Sequence, residues 1–135
     1  MPISVEWDNE TKTRIFYVFE GHWTWHEFDA IYKDVYAMLD TVSHNVDAIV
    51  DIRKSHLLPR NTLTEMRRLT FQQHENGGLT IFITENHFAQ TLFRILINVL
   101  PRARAIFRMV ASKEDALIVL ENEEMPNTVS ILEAY

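Results

Sequence analysis

The 135-residue sequence predicts a single α/β domain with a mixed sheet of about five strands and four helices. Two alternating apolar segments open the chain, and short β-branched runs then alternate with amphipathic helical patterns. Strands that alternate with helices pair in parallel, whereas two strands joined by a short turn pair as an antiparallel hairpin. The sequence therefore predicts one antiparallel edge on an otherwise parallel sheet.

The opening hairpin is predicted at Ile3–Trp7 and at residues 14–20, RIFYVFE, because apolar and polar side chains alternate in the first segment and in part of the second. Gly21 ends the second strand. The first helix is expected to begin near Thr24, because Thr24 and Glu27 form a capping-box pattern that satisfies backbone N–H groups at a helix start. Its core stripe consists of Phe28, Ile31, Val35, Met38 or Leu39, and Val42.

Three further strands are predicted at residues 46–52 (VDAIVDI), 79–84 (LTIFIT) and 105–110 (AIFRMV). The first of these is rich in β-branched residues, as is typical of a strand that is covered on both faces. The order of elements is then two strands, a helix, and three repeats of strand and helix.

The remaining helices are predicted from capping and stop signals. Asn61 or Thr62 caps the second helix, the third covers residues 87–100 and ends before Pro101, and Ser112 caps the last. On the third helix the predicted core stripe is Phe88, Leu92, Leu96 and Val99.

The amino-acid composition excludes several classes of functional site and partner. The chain has no cysteine, which excludes disulfides and thiolate sites, and its first ten residues lack the pattern of a signal peptide. The net charge of −6 argues against nonspecific nucleic-acid binding, and no apolar run is long enough to span a bilayer. We expect a cytoplasmic protein with a domain at residues 1–122, a tail at 123–135, and no nucleic-acid or membrane partner.

Two segments resemble the STAS domain, the family of the anti-sigma-factor antagonists. Residues 46–58, VDAIVDIRKSHLL, are similar to its buried strand that ends in aspartate and an apolar residue, and residues 107–120, FRMVASKEDALIVL, resemble its last strand and final helix. The resemblance implies a STAS-like fold and non-enzymatic signalling. It also implies a regulatory protein partner, such as a kinase-like anti-sigma factor, whose binding is toggled by phosphorylation at the start of the second helix.

The family's Asp-Ser-Ser-Gly or Asp-Ser-Thr-Gly stretch falls opposite residues 59–62, PRNT, which contain no serine. Nearby hydroxyls are the candidates for phosphorylation: Thr62, Thr64 and Ser55. A phosphate at a helix start adds negative charge beside the positive end of the helix dipole. The candidate partner-binding residues are Arg53, Lys54, His56, Arg60, Asn61, Arg67 and Arg68.

The first and third helices carry more apolar side chains than a single core stripe requires. A helix that is apolar around most of its girth is deeply buried or pairs with something. We therefore expect either a pocket for a small, lipid-like apolar ligand or a homodimer contact. The residues concerned are Trp25, Tyr32, Tyr36, Phe93, Ile97 and Leu100.

Signatures of catalysis are weak. The sequence has no Gly-x-Ser-x-Gly elbow and no phosphate-binding glycine loop. His22 and His26 have the spacing of a helical metal pair, but His22 precedes the expected helix start, so the pair fails as a site. We predict a protein without catalytic residues, metal or cofactor.

Overall fold

The chain opens with the predicted hairpin. In the computed structural model, which describes residues 2–123, β1 (Ile3–Trp7) pairs antiparallel with β2 (Arg14–Gly21). The backbone N–H of Asp8 donates to the carbonyl of Arg14 and closes the loop. The alternation of apolar and polar residues thus predicted both strands and their pairing.

Three parallel strands complete a sheet of the order β1-β2-β3-β4-β5: β3 (Val46–Ser55), β4 (Gly77–Ile83) and β5 (Phe107–Val110). β3 is three residues longer than predicted. Its last residues pair with the end of β2, where Gly21 lies opposite Ser55. The segment predicted as a polar loop therefore begins inside the sheet.

Residues 2–123 contain five helices, one more than predicted. They are α1 (Trp25–Asp40), α2 (Thr62–Thr70), α3 (His87–Val99), α4 (Pro101–Ile106) and α5 (Lys113–Asn122). The extra helix begins at Pro101, which was predicted to end α3. Proline fits the first position of a helix because its missing N–H would have had no partner there. β5 consequently starts two residues later than predicted.

Helix caps follow the sequence signals at two of three sites. The Thr24 side chain accepts from the N–H of Glu27, whose carboxylate accepts from the N–H of Thr24. Ser112 likewise caps α5 by accepting from a backbone N–H. Asn61 occupies the N-cap position of α2 but has a left-handed backbone, with φ of 66°, and makes no side-chain capping bond.

The helices divide unequally between the two faces of the sheet. Because the strands follow one another without reversal, crossovers of one hand carry the connecting helices to the same face. We call this side, covered by α1–α4, the four-helix face. The opposite side, covered by α5, is the α5 face, where Ile49, Ile81 and Ile83 pack with Ala116.

The buried face of α3 differs from the prediction. Phe88 and Val99, both predicted as core, are 62% exposed, whereas Ala89, Leu96 and Ile97 are buried. Because α3 is apolar around most of its surface, its hydrophobic period cannot select which side meets the sheet. None of the helices in residues 2–123 is long and apolar enough to cross a membrane. Residues 124–135, nearly all of the predicted tail, lie outside the described residues.

Candidate functional site

An apolar cavity of about 150 Å³ lies between the four-helix face and the helices that cover it. No charged side chain lines it among residues 2–123. Its floor comes from β2–β5: Tyr17, Phe19, Ala48, Val50, Ile52, Thr80, Phe82, Phe107 and Met109. Its helical wall includes Trp25, Phe28 and Tyr32 of α1, Leu63, Met66 and Leu69 of α2, and Ala89, Leu92, Phe93 and Leu96 of α3.

The space exists because small side chains lie among large ones. Ala48 on β3 lies directly beside Thr80 on β4, so only short side chains rise from the middle of the cavity floor. Above it, the apolar side chains of α2 are only partly buried, and Thr70 is the one fully buried residue of that helix. Protein interiors normally leave few voids larger than a water molecule, so this arrangement departs from ordinary core packing.

Contacting aromatic rings form one wall of the cavity. Trp25 lies edge-on to Trp23 at 5.0 Å and to Phe28 at 5.4 Å between ring centroids, and Phe28 stacks on Tyr32 at 5.4 Å. Trp23 is fixed in turn by a 2.9 Å hydrogen bond from its Nε1 to Ser55 Oγ. The wall is therefore held in place without a ligand.

The polar groups of the lining differ in their surroundings. Tyr17 is 4% exposed. Within residues 2–123, the Nε1 of Trp25 is shielded from solvent and has no acceptor. Burial raises the pKa of Tyr17 far above that of an ordinary phenol, and burial also raises the pKa of Tyr32 to about 12. Both phenols thus stay protonated at neutral pH.

The apolar candidates from the sequence fall into two groups. Tyr36 donates its hydroxyl to the Gln72 carbonyl at 2.5 Å, Ile97 is buried, and Leu100 packs into the cluster around α4. The other three line the cavity: Trp25, Tyr32 and Phe93. Of these six residues, Ile97 is buried and the other five are partly buried.

The candidate phosphorylation residues differ in access. Ser55 is partly buried, and its Oγ accepts the Trp23 hydrogen bond. The Thr62 hydroxyl donates to the Pro59 carbonyl at 2.6 Å, and its side chain also lines the cavity. Thr64 is exposed in the first turn of α2. A phosphate meets the least obstruction at Thr64.

Two of the candidate partner-binding arginines are engaged within the protein. Arg53 binds both carboxylate oxygens of Asp51, with Nη2 2.9 Å from Oδ2. Burial alone would raise the pKa of Asp51, but the hydrogen bonds from Arg53 outweigh it and lower that pKa. Arg68 pairs with Asp29 and Glu65, and the hydrogen bond to Glu65 raises the pKa of its guanidinium.

The other five partner-binding candidates are exposed: Lys54, His56, Arg60, Asn61 and Arg67. Within residues 2–123, neither Lys54, Arg60 nor Arg67 forms an ion pair. The ring of His56 lies 4.9 Å from that of His22. These five side chains are therefore accessible at the surface of the protein.

A second, more polar groove of about 340 Å³ lies beyond the ends of β3 and β4. Ser55, His56 and Asn86 contribute polar atoms to it, and Leu57 and Phe88 add exposed apolar surface. Ala89 borders both this groove and the cavity.

Several residues of the cavity were not predicted as site residues, notably Tyr17, Ala48, Thr80 and Met66. The alternation of RIFYVFE does place Tyr17 on an inward face, between Ile15 and Phe19. A tyrosine in such a position is ordinarily taken as core. Ala48 and Thr80 gave no signal, because a missing volume becomes visible only when all neighbours are placed.

The fold is shared with a solved protein of low sequence similarity. The chain matches the crystal structure of an uncharacterized protein of the DUF3478 family from Shewanella loihica PV-4, described as having a SpoIIAA-like fold. The TM-score is 0.65 at 15% identity, over 87% of this chain and 93% of that one. No family model matches the sequence, and no curated protein matches it. The likeness confirms the predicted STAS-like fold of the anti-sigma-factor antagonists.

Proposed function

We propose that this protein is a non-catalytic binding protein that carries or senses a small apolar ligand in the cavity of the four-helix face. The observation that carries the proposal is the uncharged cavity of about 150 Å³, bounded by aromatic rings that already contact one another. An apolar cavity of this size in another protein stays dry and binds benzene-sized molecules.

The size of the cavity limits the ligand. Drug-sized molecules occupy pockets of roughly 300–1,000 Å³, well above the space found here. An aromatic ring or a short branched chain fits without rearrangement. A longer lipid-like ligand requires α2 to move away from the sheet. This movement should cost little free energy, because the apolar side chains of α2 are only partly buried.

Native mass spectrometry of the protein purified from its own organism tests the proposal directly. We expect a noncovalent adduct that is lost on denaturation. A protein that has no adduct, and that fails to bind added toluene, contradicts the proposal.

Filling the cavity should exclude the ligand. Phe93→Trp places a larger ring against the lining, and we expect affinity to fall about tenfold, or 1.4 kcal/mol. Phe88→Trp makes the same change on the exposed side of the same helix and should leave affinity unchanged. Titration calorimetry with toluene compares the two variants. Equal losses in both would show that the ligand binds elsewhere.

A second candidate function is docking of a regulatory protein on the basic surface of the β3–α2 loop and α2. Exposed Arg60 and Arg67, without ion pairs in residues 2–123, support it, and so does the exposed Thr64 hydroxyl near an uncapped helix start. Phosphorylation at Thr64 would add negative charge to this surface and weaken an acidic partner's binding.

The docking proposal is tested with the kinase-like anti-sigma factors of the same organism. Arg67→Glu should abolish binding, whereas Arg102→Glu, an equally exposed change on α4, should not. If both variants bind as well as the wild type, this candidate is removed. A phosphate found on Thr64 in the purified protein would favour it over the ligand carrier.

A further inference from the structure

The exposed apolar side chains are concentrated around α2 and α3. Of the six large hydrophobic residues that are exposed within residues 2–123, five belong to this region: Leu57 in the loop before α2, Phe71 directly after α2, and Phe88, Ile95 and Val99 on α3. The sixth, Ile118, is on α5, which covers the opposite side of the sheet. Single exposed apolar residues are ordinary in proteins, whereas a cluster of them marks an interaction surface.

The five residues border one surface between α2 and α3. The three exposed residues of α3 follow one another at steps of seven and four residues, which places them in a single stripe of that helix. Near the start of both helices, Leu57 and Phe88 line the same polar groove. Near their ends, the guanidinium carbon of Arg102 lies 5.5 Å from the centroid of the Phe71 ring. The two helices are therefore joined at both ends by exposed side chains.

The same surface carries positive charge. Arg67 is exposed one turn before Phe71, Arg102 lies against the Phe71 ring, and neither arginine forms an ion pair within residues 2–123. Residues 86–112 contain no Asp or Glu, and the one carboxylate of α2, that of Glu65, is held in an ion pair. We call the five exposed apolar residues, together with Arg67 and Arg102, the α2–α3 surface.

The charge of the α2–α3 surface favours one kind of occupant. A second copy of the chain would set the arginines of the two copies against each other, and like charges at an interface repel. A protein partner needs a surface of matching shape. An anionic bilayer attracts arginine and accepts apolar side chains in any arrangement, because its affinity depends on buried apolar area and on charge.

We propose that the α2–α3 surface binds the surface of an anionic lipid bilayer. Ala89 borders both the polar groove of this surface and the cavity, so attachment would bring a carrier of apolar ligands next to a phase that dissolves them. The attachment itself does not depend on the ligand-carrier function. The lack of a spanning run, on which the sequence-based expectation of no membrane partner depended, does not exclude binding to a bilayer surface.

Sedimentation of the full chain with phospholipid vesicles tests the proposal. We expect the protein to bind vesicles of phosphatidylcholine mixed with phosphatidylserine, and to bind vesicles of phosphatidylcholine alone much more weakly. Binding should also weaken as salt is added, because salt screens the attraction between arginines and lipid headgroups.

Loss of one apolar or one basic side chain should weaken binding to the anionic vesicles. Phe88→Ser removes an exposed ring, and we expect roughly tenfold weaker binding. Ile118→Ser removes an exposed apolar side chain of α5 and should have no effect. Arg67→Glu should weaken binding about fivefold or more. Lys33→Glu makes the same charge reversal at an exposed position of α1 and should not.

Arg102→Glu separates this proposal from docking of a regulatory protein on α2. Because Arg102 belongs to the α2–α3 surface, its reversal should weaken vesicle binding as Arg67→Glu does. The same variant is expected to leave binding of a regulatory protein unchanged.

Failure of the wild-type protein to bind the anionic vesicles overturns the proposal, and toluene binding by the same protein would then leave the ligand-carrier function intact. Wild-type affinity of Phe88→Ser, or equal losses in Phe88→Ser and Ile118→Ser, would reduce the binding to nonspecific attraction and also overturn it. Binding of an anti-sigma factor by a protein that ignores vesicles would make the surface a protein interface instead. Circular dichroism verifies that each variant is folded, and Val99→Ser replaces Phe88→Ser if that variant does not fold.

Discussion

The two faces of the sheet are built from alternate residues of the same strands, yet one is closely packed and the other contains a cavity. On the α5 face, Ile49, Ile81 and Ile83 are each 0% exposed and meet Ala116, which is also fully buried. On the four-helix face, their sequence neighbours Ala48 and Thr80 leave a cavity. The backbone of the sheet is common to both faces, so the difference arises from the strand side chains and from the helices that cover them.

This difference indicates that the two faces of the sheet contribute unequally to stability. The α5 face contributes close packing, which stabilises a fold without the help of a ligand. The four-helix face lacks part of that close packing, and its cavity is the proposed ligand site. The following variants test whether the two faces are as different in energy as they are in structure.

Truncations should show the largest contrast. Ile81→Ala leaves a void in the α5 face, and we expect it to lower the free energy of unfolding by about 2–5 kcal/mol. Met66→Ala removes a partly buried side chain beside existing space, and its cost should be clearly smaller. Urea denaturation measures both. If the two variants lost equal amounts of unfolding free energy, the side chains around Met66 would be closely packed in solution and the cavity closed.

Enlargements should give the same ranking, with the α5 face again the less tolerant of the two. Ala116→Leu overpacks the α5 face, and we expect a loss of about 1–3 kcal/mol in the free energy of unfolding. Ala48→Leu extends into the cavity and should change stability little, although it should also reduce ligand binding. A large destabilisation by Ala48→Leu would contradict an open cavity at this position.

The smallest effects should come from two aspartates that flank Ile49 on β3. Burial raises the pKa of Asp47, whose carboxylate accepts from the Leu79 N–H, so folding favours its protonated form. Its charge therefore costs stability once the pH exceeds that raised pKa. Asp47→Asn keeps an acceptor oxygen and should stabilise the protein at pH 7, with a gain that fades as the pH falls through this pKa.

Asp51 provides the matched control with the opposite sign. The hydrogen bonds from Arg53 lower the pKa of Asp51 despite its burial, so its charge stabilises the fold above the ordinary aspartate pKa. Asp51→Asn should destabilise the protein at pH 7, and this loss should fade as the pH falls through the lowered pKa. Thermal midpoints between pH 3 and 7 compare the variants. Shifts of the same sign would contradict the assignment.

Much of the fold was predictable because its signals are local. Alternation in part of residues 14–20 indicated a strand, and the pairing of Thr24 with Glu27 marked the start of α1. Pro101 was a local signal that was interpreted only in part: α3 ends before it, as predicted, but the same residue also begins α4. Such signals depend on a few consecutive residues, which a single sequence contains.

The candidate site was less predictable because it depends on how distant elements meet. The surplus of apolar residues on α1 and α3 predicted either a pocket or a dimer contact, and three of the residues concerned, Trp25, Tyr32 and Phe93, line the cavity. The same reasoning included Ile97, which is ordinary core, and predicted burial of Phe88, which is exposed. Which side of α3 faces the sheet depends on packing against β4 and β5, and no periodicity within the helix records it.

The strands lie across the sheet in the order in which a ribosome makes them. During synthesis each new strand meets an edge formed by the strand before it, and no pairing has to wait for a segment still to be translated. Every closure spans a turn or the intervening helices, which keeps the entropy loss small for a parallel sheet. At each stage one edge of the sheet is the newest strand and the other is β1, and in the finished sheet the two edge strands, β1 and β5, are five and four residues long. The sheet of residues 2–123 thus offers short edges to other chains, and its strands can pair in the order in which they are made.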